Sequence, residues 1–407
     1  MSILRNYKAQ IPRELALFSC ASLVMGVAYS MIDSVLNNFL NERFALSGFE
    51  RSFLELPREL PGVLVVFVST LLWFLCSRRQ GVLAMLLGLA GALLIGFAST
   101  SYAVMVGWLF IYSMGQHLFL PLSASIGMEL ATQGQDGRRL GQLNAIRNGA
   151  TIAGSFVVFL GFRFLGFTFR HTFALAAAAF LVAALILFAM QPQPARPSAR
   201  HLQIRKEYRL YYTLAVLYGS RKQLFITFAP WVIVTVFKQP TQTIATLLTI
   251  GGVIGILFQP LLGWATDHLG ERTVLLAEAL LLVFVCLGYG FARSWLPESV
   301  AFIVVCACYL LDQMLMSVNM ARSTYMKKIA LRPEDIQPAL TTAVTIDHVF
   351  SISIALLGGL IWNAFGFQYV FLLGMIIALV NFVAALQIRL PRATSWAAAA
   401  VEPASQD

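Results

Sequence analysis

Long apolar segments recur along the whole chain, and they constrain its fold more than any other feature of the sequence. The hydrocarbon core of a bilayer is about 30 Å thick, and a helix needs roughly 20 mostly apolar residues to cross it. Twelve segments meet this requirement, with approximate limits 14–40, 50–76, 82–99, 102–131, 142–165, 170–190, 209–237, 241–264, 273–292, 298–326, 338–364 and 368–389. We therefore expect an all-α integral membrane protein with twelve transmembrane helices.

The composition agrees with this interpretation. Hydrophobic residues make up 58% of the 407 residues and charged residues 12%, whereas soluble domains contain about 45–50% apolar and about 25% charged residues. A water-soluble enzyme is thereby excluded. The five cysteines all lie in apolar segments without metal-ligand spacing, so we expect neither disulfides nor a structural zinc. The first apolar segment is too long for a cleaved signal peptide, and we expect it to remain as the first span.

Basic residues indicate the orientation of the chain. The sequence has 29 Lys and Arg against 19 Asp and Glu, a net charge of +10. If both termini are cytoplasmic, eighteen basic residues lie in cytoplasmic segments and six on the opposite side, as the positive-inside rule favours. We assign the basic excess to topology, with no nucleic-acid partner. The expected location is a bacterial inner membrane, with both termini in the cytoplasm.

The longest polar connection follows the sixth span and divides the chain. It contains three prolines and several basic residues. The predicted divisions are an N-terminal half (1–190), a cytoplasmic linker (191–208), a C-terminal half (209–390) and a cytoplasmic tail (391–407).

Two short matches between the halves indicate an internal repeat. Y-S-M-G-Q at 112–116 matches Y-L-L-D-Q at 309–313, and F-R-H-T-F at 169–173 matches F-Q-Y-V-F at 367–371. The offsets are nearly equal, and duplicated halves are common in transporters. We expect two pseudo-symmetric six-helix halves.

A glycine-containing motif follows the eighth span, with Gly263, Asp267, Gly270 and Arg272 in G-W-A-T-D-H-L-G-E-R. It resembles the G-x-x-x-D-[RK]-x-G-[RK]-[RK] signature of cytoplasmic loops in the major facilitator superfamily; the alternative is an ordinary helix-terminating turn. The corresponding residues of the first half, 73–81, keep a basic pair but lack the first glycine and the aspartate. The resemblance implies a secondary transporter whose halves rock about a central site lined by spans one, four, seven and ten. It also implies a gating role for the four motif residues.

Polar side chains inside these spans are functional candidates because each one is costly in lipid. In the first span Tyr29, Asp33 and Asn37 repeat every four residues and predict one polar face, with a structurally bonded aspartate as the alternative. The fourth span places Gln116 and His117 near mid-depth.

The second half carries the stronger charges. Arg221 and Lys222 lie near the middle of the seventh span, and we favour Arg221 as an anion-binding group. The alternative is a structural pair with Asp312 or Asp347. Asp312 and Gln313 occupy the tenth span at the depth of Gln116 and His117, which makes Gln116 and Gln313 candidates for substrate positioning. All these groups from Tyr29 to Gln313 are predicted to line the cavity.

Four ionisable groups are candidates for proton coupling, since a desolvated carboxylate or a histidine can exchange protons near neutral pH. They are Asp33, Asp312, Asp347 and His348. Glu55, Arg58 and Glu59 open the second span at spacings that permit pairing, and they predict either an extracellular gate or an interfacial salt bridge.

These observations predict a proton-coupled secondary transporter for a small organic anion or zwitterion. A nucleotide-binding P-loop motif is absent from the sequence, so the energy must come from a gradient. We expect a monomer that contacts its substrate, protons and lipid, with no cofactor and no resident metal. The alternatives are export of a metal or cationic solute by Asp33, His117, Asp312 and His348, or a non-transporting receptor or scaffold.

Overall fold

The computed structural model describes residues 2–72, 74–131, 136–192, 205–332 and 335–389, and every regular element in them is helical. A 3₁₀ turn, Lys206–Tyr208, precedes α8. The helices are α1 (Ser2–Phe44), α2 (Gly48–Phe53), α3 (Glu55–Leu71), α4 (Ser77–Ala98), α5 (Tyr102–Glu129), α6 (Asp136–Phe164), α7 (Phe169–Ala189), α8 (Arg209–Thr235), α9 (Thr241–Trp295), α10 (Glu298–Met316), α11 (Asn319–Ile329), α12 (Ile336–Phe365) and α13 (Phe367–Leu386). The predicted all-α membrane fold is confirmed.

Nine helical segments within the described ranges are long and apolar enough to cross a membrane. One of them, α9, is 55 residues long and bends at Gly270, which has a φ of 81° and separates the predicted eighth and ninth spans. The predicted second and seventh spans, represented by α3 and α8, fall outside the nine; α3 has only 17 residues. Because α9 contains two predicted spans, the nine segments correspond to ten spans. With α3 and α8 added, the described helices agree with the twelve predicted spans.

Two predicted spans are interrupted. The second is divided into α2 and α3 at Leu54. Pro57, three residues later, lacks the backbone N–H that a continuous helix would need to bond back across this point. A capping box at Ser47 starts α2, since Ser47 N donates to Glu50 Oε2 at 2.9 Å and Ser47 Oγ accepts from Glu50 N at 3.2 Å. The tenth is divided by a turn at residues 317–318, between α10 and α11.

The chain divides into two compact units. Unit 1 contains Met1–Ser198 and Thr227–Leu257, and unit 2 contains Ala199–Ile226 and Phe258–Asp407. The division of the chain into halves at residues 191–208 stays a prediction. Residues 193–204 of the predicted linker and the whole predicted tail lie outside the described residues.

Small residues bring α1 and α6 together in unit 1. A Cβ on Gly26 would lie 2.6 Å from Ala150 Cβ, and one on Gly154 would lie 2.6 Å from the carbonyl oxygen of Val27. Only glycine permits this approach, which is typical of helix contacts in membranes.

In unit 2, aromatic rings pack α8, α9 and α13 against one another. The rings of Tyr289 and Phe371 stack at 4.7 Å, and Phe225 meets both at 5.5–5.7 Å. This cluster lies one helical turn from Arg221.

Candidate functional site

Unit 1 contains a cavity of about 300 Å³. Its lining residues recur every three or four positions on α1, α5 and α6, so one face of each helix points inward. Leu248 of α9 also lines it. The helical faces contribute Ser22, Met25, Gly26, Tyr29, Ser30 and Asp33 from α1, Gln116, Phe119, Leu120 and Ser123 from α5, and Leu143, Asn144, Arg147, Asn148 and Thr151 from α6.

Hydrogen bonds hold the α1 and α6 faces in register. Ser30 Oγ donates to the carbonyl oxygen of Thr151 at 2.7 Å, beside the close approach at Gly26 and Gly154. On the next turn of α6, Ser155 Oγ and Thr249 Oγ1 lie 2.9 Å apart and connect α6 to α9. The polar side chains of the cavity therefore project from a tightly packed helix pair.

The cavity contains one carboxylate and one guanidinium. Asp33 and Arg147 are both exposed to it, and neither forms an ion pair with any described residue. Arg147 Nη2 donates only a 3.3 Å hydrogen bond to Asn144 Oδ1. Three amides, Tyr29 and several hydroxyls complete the polar lining. Such a cavity offers both signs of charge and many hydrogen-bonding groups to a small polar molecule.

The predicted polar face of α1 divides between two environments. Tyr29 and Asp33 line the cavity, and the Tyr29 ring packs edge-on against Tyr112 and Phe180 at 5.7 and 5.0 Å. Asn37 is buried and lies outside the cavity lining, since its Oδ1 accepts a 3.0 Å hydrogen bond from Arg51 Nε.

The two predicted residues of α5 also separate. Gln116 lines the cavity, whereas His117 is buried outside its lining, with Nδ1 at 3.1 Å from Ser113 Oγ. A carboxylate oxygen of Glu59 lies within 4.8 Å of a His117 ring nitrogen. His117 thus faces α3 and not the cavity.

Two of the three predicted gate residues of α3, Glu55 and Arg58, form an ion-pair cluster with Arg51. Glu55 Oε1 accepts from Arg58 Nη1 at 3.1 Å, as the spacing predicted, and from Arg51 Nη1 at 2.7 Å. Arg51 and Glu55 are 1% and 0% exposed, and the Arg51 guanidinium lies 6.0 Å from the ring centre of Trp231. Arg58 also interacts electrostatically with Asp33. Asp33 and Arg58 form no ion pair, so the cavity carboxylate is coupled to this cluster only through the longer-range electrostatic interaction with Arg58.

Unit 2 contains four buried charges in one connected cluster, which we call the ion quartet: Arg221, Glu278, Asp312 and Arg322. Arg221 Nη1 pairs with Asp312 Oδ1, and its Nη2 lies 3.4 Å from Glu278 Oε1. Glu278 Oε2 pairs with Arg322 Nη2 at 2.5 Å. No side chain of the quartet is more than 4% exposed. Arg221 is thus engaged by two carboxylates, which corresponds to the structural alternative for this residue.

Lys222 pairs with a different helix from its neighbour. Its Nζ lies 2.6 Å from Asp347 Oδ2, and both side chains are partly exposed. Gly219 makes room for this pair, because a Cβ there would lie 1.5 Å from Asp347 Oδ1. His348 follows Asp347 on α12, and Gln313 lies on α10 beside Asp312; both are half-buried.

The two charged residues of the loop motif are exposed, and the buried charge in this loop is Glu271. Gly270 forms the bend of α9, and a Cβ on Gly263 would lie 3.9 Å from Met320 Cε. Asp267 and Arg272 are exposed, and neither forms an ion pair with a described residue. Glu271 between them is 1% exposed and pairs with Lys328 at 2.6 Å.

Three groups of residues in the structure were not among the predicted site residues. The α6 face at 144, 147, 148 and 151 has helical spacing that the sequence already contains. Glu278 stands alone in an apolar span and therefore requires a buried cation, which is Arg322. The role of Glu271 carries no comparable signal, because it depends on where Lys328 lies.

Comparison with known proteins identifies the family. The profile of the Major Facilitator Superfamily matches residues 18–332 and 211–406. The structure is similar to that of the nucleoside transporter NupG, with a TM-score of 0.74 at 12% identity, covering 92% of this chain and 100% of that one. A D-xylose-proton symporter has a TM-score of 0.70 at 17% identity, with 91% and 95% covered.

A POT family transporter in complex with 5-aminolevulinic acid has a TM-score of 0.70 at 11% identity, with 92% and 95% covered. At these identities the likeness concerns the fold alone. A comparison with curated protein sequences gives no significant match. By its sequence profile over most of the chain, and in agreement with its fold, this integral membrane protein belongs to the Major Facilitator Superfamily of transporters.

Proposed function

We propose that the protein is a proton-coupled secondary transporter of a small zwitterionic solute, working by alternating access. The observation that carries this proposal is the 300 Å³ cavity, in which Asp33 and Arg147 are the two charged lining residues. A simple anion would bind Arg147 but be repelled by Asp33, and a simple cation would meet the opposite problem. A zwitterion satisfies both groups, and the amides and hydroxyls would bind its polar body.

In this proposal Arg147 takes the anion-binding role that the sequence suggested for Arg221. The guanidinium of Arg147 is exposed and can form a bidentate pair with a carboxylate. That of Arg221 is already shared between Asp312 and Glu278. The ion quartet is then a structural element, and its release would require breaking at least two buried contacts.

Asp33 is the proposed coupling residue because it faces the cavity and interacts electrostatically with Arg58, the ion-pair partner of Glu55. While Asp33 is ionised, it attracts Arg58. When a proton or a substrate ammonium group neutralises Asp33, this attraction is lost and the existing pair of Arg58 with Glu55 is strengthened. Loading of the cavity would thereby strengthen the buried cluster of Arg51, Glu55 and Arg58, which is the proposed gate. Asp347 and His348 remain candidates for a second proton site, and Asp312 is less accessible in the quartet.

One observation disfavours the metal or cationic-solute alternative as the sequence suggested it. Asp312 is neutralised by Arg221 and would have to be released from it before it could bind a cation. Solved structures with this fold include one in complex with 5-aminolevulinic acid, a molecule that carries an amino and a carboxyl group.

The test compares zwitterions with matched anions that lack the ammonium group. Purified protein is screened by thermal shift against both sets, and affinities are then measured for the best pair. Arg147→Gln should weaken both ligand types by about tenfold or more, the value of a charge-assisted hydrogen bond. Asp33→Asn should weaken the zwitterion and strengthen the anion.

The matched controls are Arg163→Gln on α6 and Glu42→Gln on α1, both exposed residues outside the cavity. They should leave both affinities unchanged. If Asp33→Asn affects zwitterion and anion equally, the proposed zwitterion specificity is wrong. If Arg147→Gln binds like Arg163→Gln, the cavity is not the substrate site.

A further inference from the structure

A second cavity lies in unit 2, and none of its lining residues is one that the proposed transport function uses. It is a groove of about 530 Å³ between the beginning of α8 and the middle of α12. Three basic residues line it: Arg205, Lys206 and Arg209. Arg209 and the apolar lining residues of α8 share one helical face, so the groove has a cationic end and an apolar continuation.

The apolar part extends about two helical turns beyond Arg209. Val216 and Leu217 contribute from α8, and Ile346 and Phe350 from α12. Seven to eight residues of helix correspond to about 10–12 Å, the length of a substantial part of an acyl chain. Phe350 is 44% exposed, so this part of the groove is open at the surface.

Two of the three cations are available to a ligand. Arg205 pairs with Asp335 at 3.0 Å, whereas Lys206 and Arg209 are exposed and form no ion pair with a described residue. The nearby Glu207 is also exposed but does not line the groove.

The partner of Arg205 is held in place by a tyrosine. Tyr208 Oη donates to Asp335 Oδ2 at 2.8 Å and accepts from the backbone N–H of Leu331 at 3.0 Å. Burial raises the pKa of the Tyr208 phenol, so it remains a donor at neutral pH. Asp335 therefore stays with Arg205 and leaves Lys206 and Arg209 unneutralised.

We propose that this groove binds an anionic phospholipid. Lys206 and Arg209 bind the phosphate, and an acyl chain lies along Val216, Leu217, Ile346 and Phe350. Basic pockets next to membrane helices recognise anionic headgroups in this way, and Tyr212 in the lining is a residue type that is enriched at the membrane interface. Free phosphate would use the cations but leave the apolar part exposed to water, so the geometry favours the lipid.

Native mass spectrometry of the purified full chain tests this proposal. Phosphatidylglycerol and phosphatidylcholine with identical acyl chains are titrated separately, and inorganic phosphate forms a third arm. Phosphatidylglycerol should bind the wild type with clear preference. The double variant Lys206→Gln/Arg209→Gln should lower that affinity by roughly thirtyfold, as expected for two surface cations.

A second variant, Val216→Trp, fills the apolar part without changing charge and should also weaken phosphatidylglycerol binding. The matched control, Lys327→Gln/Arg332→Gln, removes two exposed cations of unit 2 outside the groove and should bind like the wild type. Thermal melting identifies any variant that fails to fold. Equal binding of the two lipids overturns the proposal, and so does inorganic phosphate binding as tightly as phosphatidylglycerol. An unchanged affinity in both groove variants would overturn it as well.

Discussion

At the scale of single residues, the buried charges of unit 2 that the structure describes are members of matched sets. Glu278 is the central residue of the ion quartet because it contacts both arginines. Each of its oxygens has a cation, and removal of its charge would leave Arg221 and Arg322 with one carboxylate between them. Uncompensated buried charges are among the most destabilising changes that a protein can undergo.

Glu278→Gln should therefore destabilise the protein by about 3–5 kcal/mol, measured as a lower thermal midpoint in detergent. Glu298→Gln is the control, since that carboxylate is 69% exposed in its pair with Arg293 and should melt like the wild type. Adding Arg322→Met to Glu278→Gln should restore part of the stability by removing the second charge. Equal melting of the two Gln variants would contradict the role of the quartet.

The sequence predicted many of these residues but left open which cation pairs with which carboxylate. Arg221 and Asp312 stand out as charges in apolar spans, and their pairing was an explicit alternative. Which of two adjacent cations meets which carboxylate depends on the rotation of each helix. The side chains of Arg221 and Lys222 project about 100° apart around α8. The sequence does not determine how α8 is rotated about its axis, and therefore not which of the two cations meets which carboxylate.

At the scale of elements, one glycine sets the distance between α8 and α12. The carboxylate of Asp347 occupies the space where Gly219 would carry a Cβ. The Lys222–Asp347 pair can form at 2.6 Å because of this approach.

Gly219→Ala should displace the Asp347 side chain and break its pair with Lys222. The displaced atoms are the end of a partly exposed side chain, so we expect a small change in thermal midpoint. Transport should fall to the level of Asp347→Asn, and the double variant should be no worse than either single variant. Gly107→Ala on α5 is the control, because its Cβ would have no neighbour within 4 Å. Additive effects in the double variant would show that Gly219 acts independently of Asp347.

The limits of the helices show which parts of the fold the apolar segments and turn residues of the sequence could predict. The apolar runs predicted the spans because burial in lipid requires them. They did not predict that α2 and α3 separate at Leu54, which depends on the backbone around Pro57. They also missed the break between α10 and α11, because neither proline nor glycine marks residues 317–318. The cavity-lining face of α6 was predictable from the helical spacing of residues 144, 147, 148 and 151. It was not predicted, because this span contains no acidic residue, whereas the other spans carry the carboxylates and histidines from which the site was mainly predicted.

At the scale of the whole molecule, the distribution of basic residues predicts the orientation of the protein in the membrane, which the fold does not determine. The fold is the same in either orientation, whereas the positive-inside rule favours only one. Lys327 is predicted to be cytoplasmic and Arg163 to lie on the opposite side, and both side chains are exposed.

Cysteine labelling in cells checks this orientation. In a variant without the five native cysteines, Arg163→Cys should react with a membrane-impermeant maleimide in intact cells. Lys327→Cys should react only after permeabilisation. The reverse pattern would overturn the predicted topology, and a serine at each position gives the background signal.

The ion quartet has an electrical consequence. Its two arginines and two carboxylates cancel, and the Lys222–Asp347 pair cancels as well. A single charge that crosses a membrane potential of 100 mV changes in energy by about 2.3 kcal/mol, whereas these six groups together contribute no net charge to a movement of unit 2. If the substrate is a zwitterion without net charge, as proposed, the charge moved in each transport cycle would then equal the number of coupled protons.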